Sequence, residues 1–112
     1  MTYDLAIVGA GLAGLTAGLI GARHGLRTVV VDHGATGGQV LNVEKIENFP
    51  GFPEGIAGFD LGPLVMDQAA QAGCEFVIDV ARRLEVAEDK RVLERQLKEV
   101  ENRVDVLRKR LP

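Results

Sequence analysis

Residues 4–32, DLAIVGAGLAGLTAGLIGARHGLRTVVVD, decide the fold. Asp4–Val8 is an apolar run of strand length that stops at Gly9. Leu12–His24 then reads as a helix, with Gly25 standing where a left-handed C-terminal cap belongs. Arg27–Asp32 is β-branched and apolar, the pattern of a second strand buried on both faces. A strand, a helix and a strand in so short a stretch imply a right-handed parallel crossover.

Inside this unit lies Gly9-Ala10-Gly11-Leu12-Ala13-Gly14, a G-x-G-x-x-G run. Alone it is a weak signal, but here it follows a strand, opens a helix and precedes another strand, the context a dinucleotide-binding turn requires. Gly9 suits the tight turn, and Gly11 lets a pyrophosphate reach the backbone where a Cβ would block it. Leu12 and Ala13 sit at the helix start, whose unpaired N–H groups and partial positive charge favour an anion. Gly14, Gly18 and Gly21 share one helical face. Each costs about 1 kcal/mol relative to alanine, which close contact between helix and sheet would explain. The second strand ends at Asp32, 18 residues beyond Gly14. An acid there accepts hydrogen bonds from a ribose 2′-hydroxyl and repels a 2′-phosphate. It disfavours NADP and leaves FAD and NAD open. His33 adjoins it, beside the expected adenosine.

Composition sets the outer limits. One domain with at most an appendage fits 112 residues, and 46% hydrophobic with 26% charged residues is the balance of a soluble globular chain. A net charge of −3 argues against a general nucleic-acid binder, which needs a basic surface to release counterions. Residues 5–22 carry no charge, but five glycines spoil them as a lipid-facing helix, and Asp4 precedes them where a signal peptide would place basic residues. No membrane span is expected. The single cysteine, Cys74, permits no internal disulfide and suits a reducing compartment, so the expected location is the cytoplasm. Cys74 is expected to be a buried strand residue, and neither His24 nor His33 has a second ligand at metal spacing.

Between His33 and Gly58 periodicity disappears into a Gly- and Pro-rich loop, long enough to suggest a functional role. Phe59–Ala72 regains a helical pattern, with Leu61, Leu64, Val65 and Ala69 on one face. Cys74–Val80 resembles a third strand, and Arg82–Val86 a further short one. Beyond Glu88 the character changes. Leu93, Leu97, Val100, Val104, Leu107 and Leu111 recur at spacings of 4, 3, 4, 3 and 4, a heptad pattern. The expected fold is α/β: an incomplete Rossmann-like doubly wound parallel sheet of order 2-1-3 over residues 1–88, with a C-terminal heptad helix over 89–112. That helix offers a seam either for a homo-oligomer, most favourably antiparallel, or for packing on its own α/β domain.

Two further segments carry a family resemblance, Gly37-Gly38-Gln39 and Glu47-Asn48-Phe49-Pro50-Gly51-Phe52-Pro53. Together with the first strand–helix–strand unit they resemble the start of a thioredoxin-reductase-like protein of the pyridine nucleotide–disulfide oxidoreductase class. The resemblance runs to about Phe76. It implies an FAD cofactor, with Gly37, Gly38, Gln39 and Asn48 as flavin-side contacts beside Gly9, Gly11, Gly14 and Asp32. The physical reading agrees. A loop rich in glycine offers its backbone to a flat ring, and Gln39 and Asn48 each supply a donor and an acceptor.

The resemblance also implies parts that these 112 residues do not contain. There is no second G-x-G-x-x-G for NAD(P)H, no C-x-x-C pair, and no Gly-Asp segment near the C-terminus for the flavin's ribityl–phosphate portion. The chain therefore reads as one half of a flavin site, with no catalytic residue of its own and another chain as a conceivable source of the rest. Two other readings stand beside it. A non-catalytic nucleotide-binding or assembly module would rely on the C-terminal helix. A fragment of an NAD-dependent dehydrogenase shares the fingerprint but leaves residues 37–39 and 47–53 unexplained.

Overall fold

The computed structural model describes residues 2–34, 38–86, 90–95 and 103–107. The first strand–helix–strand unit is β2 (Leu5–Val8), α1 (Leu12–Arg23) and β3 (Thr28–Asp32), preceded by a two-residue strand β1 (Thr2–Tyr3). A 3₁₀ turn at Gly38–Asn42 and an antiparallel bridge between Ile46 and Ile56 organise the long loop. There follow α2 (Gly58–Gln71), β4 (Glu75–Ile78), β5 (Ala81–Val86), β6 (Lys90–Arg95) and β7 (Arg103–Leu107).

β3 is the centre of the parallel sheet. It pairs with β2 from Leu5↔Thr28 to Val8↔Val31, and with β4 from Val29↔Glu75 to Asp32↔Ile78. Its valines face both ways. Val30 joins Leu15, Ala69 and Cys74 under the helices, while Val29 and Val31 join Tyr3 on the opposite face, with Ala6, Val77 and Ala81 around them. All three valines are at most 1% exposed, which is why this stretch is apolar without alternation.

The expected order 2-1-3 is corrected: the three strands lie in the order first, second, third. Two right-handed crossovers that step in the same direction put both helices on one face, where α1 and α2 pack against each other. Placing the third strand beyond the first would have sent α2 to the other face and left the apolar sides of the two helices apart.

Both helices end in the same way. Gly25 has φ +78°, its N–H donates to the Ala22 carbonyl, and Leu26 N–H donates to Gly21. At the end of α2, Gly73 and Cys74 repeat the pattern onto Ala70 and Ala69. This 6→1, 5→2 closure turns each helix directly into the next strand. On α2 the stripe Leu61, Val65, Ala69 faces the core, whereas Leu64, expected beside them, is 54% exposed on the flank.

The largest departure lies at the end of the chain. A heptad helix is expected over 89–112, yet Lys90–Arg95 and Arg103–Leu107 are strands; the rest of that segment and the boundary after residue 88 lie outside the described residues. β5 pairs antiparallel with β6 and β6 with β7, so Leu84, Leu93 and Val104 fall in one row across the three strands. β7 then lies parallel to β1, Thr2 beside Asp105 and Tyr3 beside Val106. The competing signal is a period of two in Arg103-Val104-Asp105-Val106, which suits the strand that partners β1. Counting β1 and β2 as one strand interrupted at Asp4, the chain steps outward to β3 and β4 and returns through the β5–β7 meander to the other side of its first strand. The direction therefore reverses at the strand that leads into Gly9, the position at which doubly wound sheets form their binding crevice.

Candidate functional site

The carboxyl end of β2 runs straight into the glycine turn. Gly9 N–H donates to the Val31 carbonyl at 2.8 Å, holding the turn against β3, and Gly9 itself adopts φ +105°. α1 begins at once. Its N-cap is Gly11, no side chain caps its first turn, and no acid lies there.

The three fingerprint glycines divide the work. A Cβ on Gly11 would meet nothing within 4 Å, so the backbone there borders open space. A Cβ on Gly14 would overlap the Gly9 carbonyl oxygen, so Gly14 is what allows α1 to start so close to the strand end. Further along the same face, a Cβ on Gly18 would sit 2.9 Å from the Cys74 Sγ, and one on Gly21 would sit 2.8 Å from Leu5 Cδ2. The glycine stripe expected to bring helix and sheet together does so.

Asp32, at the end of β3, touches two loops. Its Oδ1 accepts the Ala10 N–H at 3.2 Å and its Oδ2 accepts the Gly34 N–H at 3.1 Å. It is half-buried, and His33 beside it is exposed. The sequence placed Asp32 at a ribose; it did not show that the same carboxylate ties the glycine turn to the end of the neighbouring strand.

The long loop comes back to the same place. Gly38, with φ +63°, lies so close to Gly11 that a Cβ on it would be 3.3 Å from the Gly11 Cα. A groove of ≈ 580 Å³ is lined by Leu12 from the start of α1 together with Val43, Lys45, Ile46, Glu47, Asn48 and Phe49. Asn48 and Leu12, distant in sequence, thus share one wall. Ala13 is exposed on the first turn of α1. Gln39 is placed by its backbone in the 3₁₀ turn directly after Gly38, and Gly37 lies outside the described residues. Sequence reasoning missed Lys45, whose Nζ is 3.5 Å from a Glu47 carboxylate oxygen. Nothing local marks it, because the groove it lines is assembled by the fold of the long loop around the Ile46–Ile56 bridge.

Cys74 is buried and free, its thiol pushed up from its ordinary value by burial first and by the Glu75 carboxylate second. It packs against α1, away from the glycine turn's open side. Among the described residues no cluster of three or more His, Cys, Asp or Glu could hold a metal ion, and no helix is long and apolar enough to cross a membrane.

Comparison with known proteins agrees with this geometry. The NAD(P)-binding Rossmann-like domain family model matches residues 7–77. Thioredoxin reductase from Listeria monocytogenes is 43% identical over 74 residues, which are 66% of this chain and 23% of that protein. Among solved structures, thioredoxin reductase from Lactococcus lactis superposes with a TM-score of 0.84 at 28% identity, over 94% of this chain and 33% of that one. The Streptococcus pyogenes thioredoxin reductase gives 0.85 at 28% identity, over 95% and 33%. The chain thus spans about a quarter of the length of the curated relatives it matches, and the structural likeness reaches past the residues matched in sequence.

Proposed function

This chain belongs to the NAD(P)-binding Rossmann-like domain family, and from that premise we propose that it binds FAD as the N-terminal part of a thioredoxin-reductase-like, flavin-dependent oxidoreductase. The observation that carries the reading is the convergence at Gly11. An open backbone position, the uncapped start of α1, Gly38 and the groove bearing Asn48 all meet there. The residues fit the group. Gly11, Leu12, Ala13 and Gly14 would receive the pyrophosphate through backbone N–H groups, with Gly9 shaping the turn, its own N–H held by Val31. Asp32 would take the adenosine ribose hydroxyls, with His33 beside them. Gly37, Gly38, Gln39 and Asn48 would border the flavin side.

When bound, the flavin would supply hydride acceptance from NAD(P)H and onward electron transfer to a disulfide or another acceptor. The chain's own residues bind and orient. The glycine turn fixes the phosphates, Asp32 selects a free 2′-hydroxyl, and the loop offers hydrogen-bonding edges.

The test is a titration of the purified full chain with FAD, NAD⁺ and NADP⁺, followed by flavin fluorescence and by competition. FAD is expected to bind most tightly, NAD⁺ to compete more weakly because it engages only the ADP side, and NADP⁺ weakest of all because its 2′-phosphate meets Asp32. Preference for NAD⁺ over FAD would overturn the flavin assignment and leave a nicotinamide site.

A further inference from the structure

We infer that Lys45 is the cationic contact of the groove, exchanging its Glu47 partner for an anionic group of the bound dinucleotide. The inference rests on the reading of a dinucleotide at the glycine turn. Ile46 and Ile56 exchange two backbone hydrogen bonds, Ile46 N–H to Ile56 O at 2.7 Å and Ile56 N–H to Ile46 O at 3.0 Å. Lys45 and Glu47 flank the pinned Ile46 and meet each other in an ion pair. Lys45 and Glu47 are the charged residues in the groove lining, and Leu12 at the start of α1 shares that lining.

The lysine stem is held from beneath. Gly55 adjoins the bridge, and a Cβ on it would stand 2.7 Å from Lys45 Cε and 3.0 Å from Cγ. The methylenes therefore lie across a bare backbone at the edge of the groove. Its ion pair with Glu47 spans 3.5 Å between side chains 60% and 73% exposed. A pair so open to water is weak and readily exchanged. The groove thus combines an uncapped helix start, an exposed ammonium and a carboxylate that an incoming anion can replace.

The experiment uses the isotope-labelled full chain and two probes, FAD and inorganic pyrophosphate, read by fluorescence and by the amide shifts of Gly11 and Leu12. Both probes are expected to saturate. Lys45→Met should weaken each by about two- to five-fold, the range of an exposed ion pair, and Lys45→Arg should restore most of the loss. Glu47→Gln should tighten binding in the parent and have no effect in the Lys45→Met background, because the carboxylate acts only as the lysine's competing partner. Equal affinity of Lys45→Met and parent for both probes, or a Glu47→Gln gain that survives without the lysine, would overturn the inference. Lysine-dependent binding of pyrophosphate without binding of FAD would support it while sinking the flavin reading. Absence of any saturable shift with either probe would overturn both.

Discussion

Under the proposed function Asp32 would serve twice. Its carboxylate accepts backbone N–H groups from Ala10 and Gly34, so it shapes the glycine turn before any ligand arrives. The remaining lone pairs are then available to ribose hydroxyls. Asp32→Ala should weaken FAD binding by roughly 1–3 kcal/mol through loss of charge-assisted hydrogen bonds, and should lower stability by about 1–2 kcal/mol because two backbone donors lose their acceptor. Asp32→Asn keeps one amide oxygen as acceptor and should recover part of the stability but little of the affinity. Calorimetry beside fluorescence titration separates the two, and unchanged affinity in both variants would remove Asp32 from the site. At this scale the sequence was generous where chemistry demands one residue type. Gly14 was legible because any Cβ there would run into the Gly9 carbonyl. Lys45 was not legible, because its place depends on a bridge between residues ten apart in the chain.

Elements repeat the lesson with longer signals. α1 was readable from its cap, since Gly25 adopts the left-handed conformation that releases the chain into β3. β3 was readable because burial on both faces leaves no room for polar alternation. The heptad reading misled at Lys90–Arg95 and Arg103–Leu107, where Val106, outside the heptad, adds a period of two with Val104. Which period prevails is decided by β1 and β5, the strands that take β7 and β6 as partners. The register provides a direct test. Leu84 and Leu93 are paired Cα partners, and such partners stand about 4.5–5.5 Å apart in an antiparallel ladder, within disulfide range. A Leu84→Cys, Leu93→Cys double variant should therefore close an intramolecular disulfide under mild oxidation, detected by mass spectrometry after alkylation. Cys74 is buried and should remain a thiol. If residues 90–107 were a helix leaving the sheet, no such crosslink would form, and monomers would stay reduced or link between chains.

For the molecule as a whole, the strand order matters more than the strand count. The apolar faces of α1 and α2 meet on one side of the parallel sheet, and the meander reaches back from the other end of the chain to β1. The sequence alone could not supply this order, because long-range pairings leave no local trace. The same inventory bears on activity. With one thiol, buried and pushed toward its neutral form, and with a single G-x-G-x-x-G run, the 112 residues offer neither a dithiol relay nor a second nucleotide site. Mixed with FAD, NADPH and a disulfide substrate, the chain should show no turnover above free flavin, monitored as NADPH oxidation at constant flavin concentration. Turnover dependent on the protein would require a hydride path not built from these residues. The pairing of Thr2 with Asp105 carries a consequence in time. The β2–α1–β3–α2–β4 unit can form from neighbouring segments as they emerge from the ribosome, whereas β1 must wait, unpaired on its outer side, until a partner about a hundred residues later has been synthesised. β1 is therefore among the last of these strands to be secured, and during that interval its unpaired edge is open to pairing with a stranger.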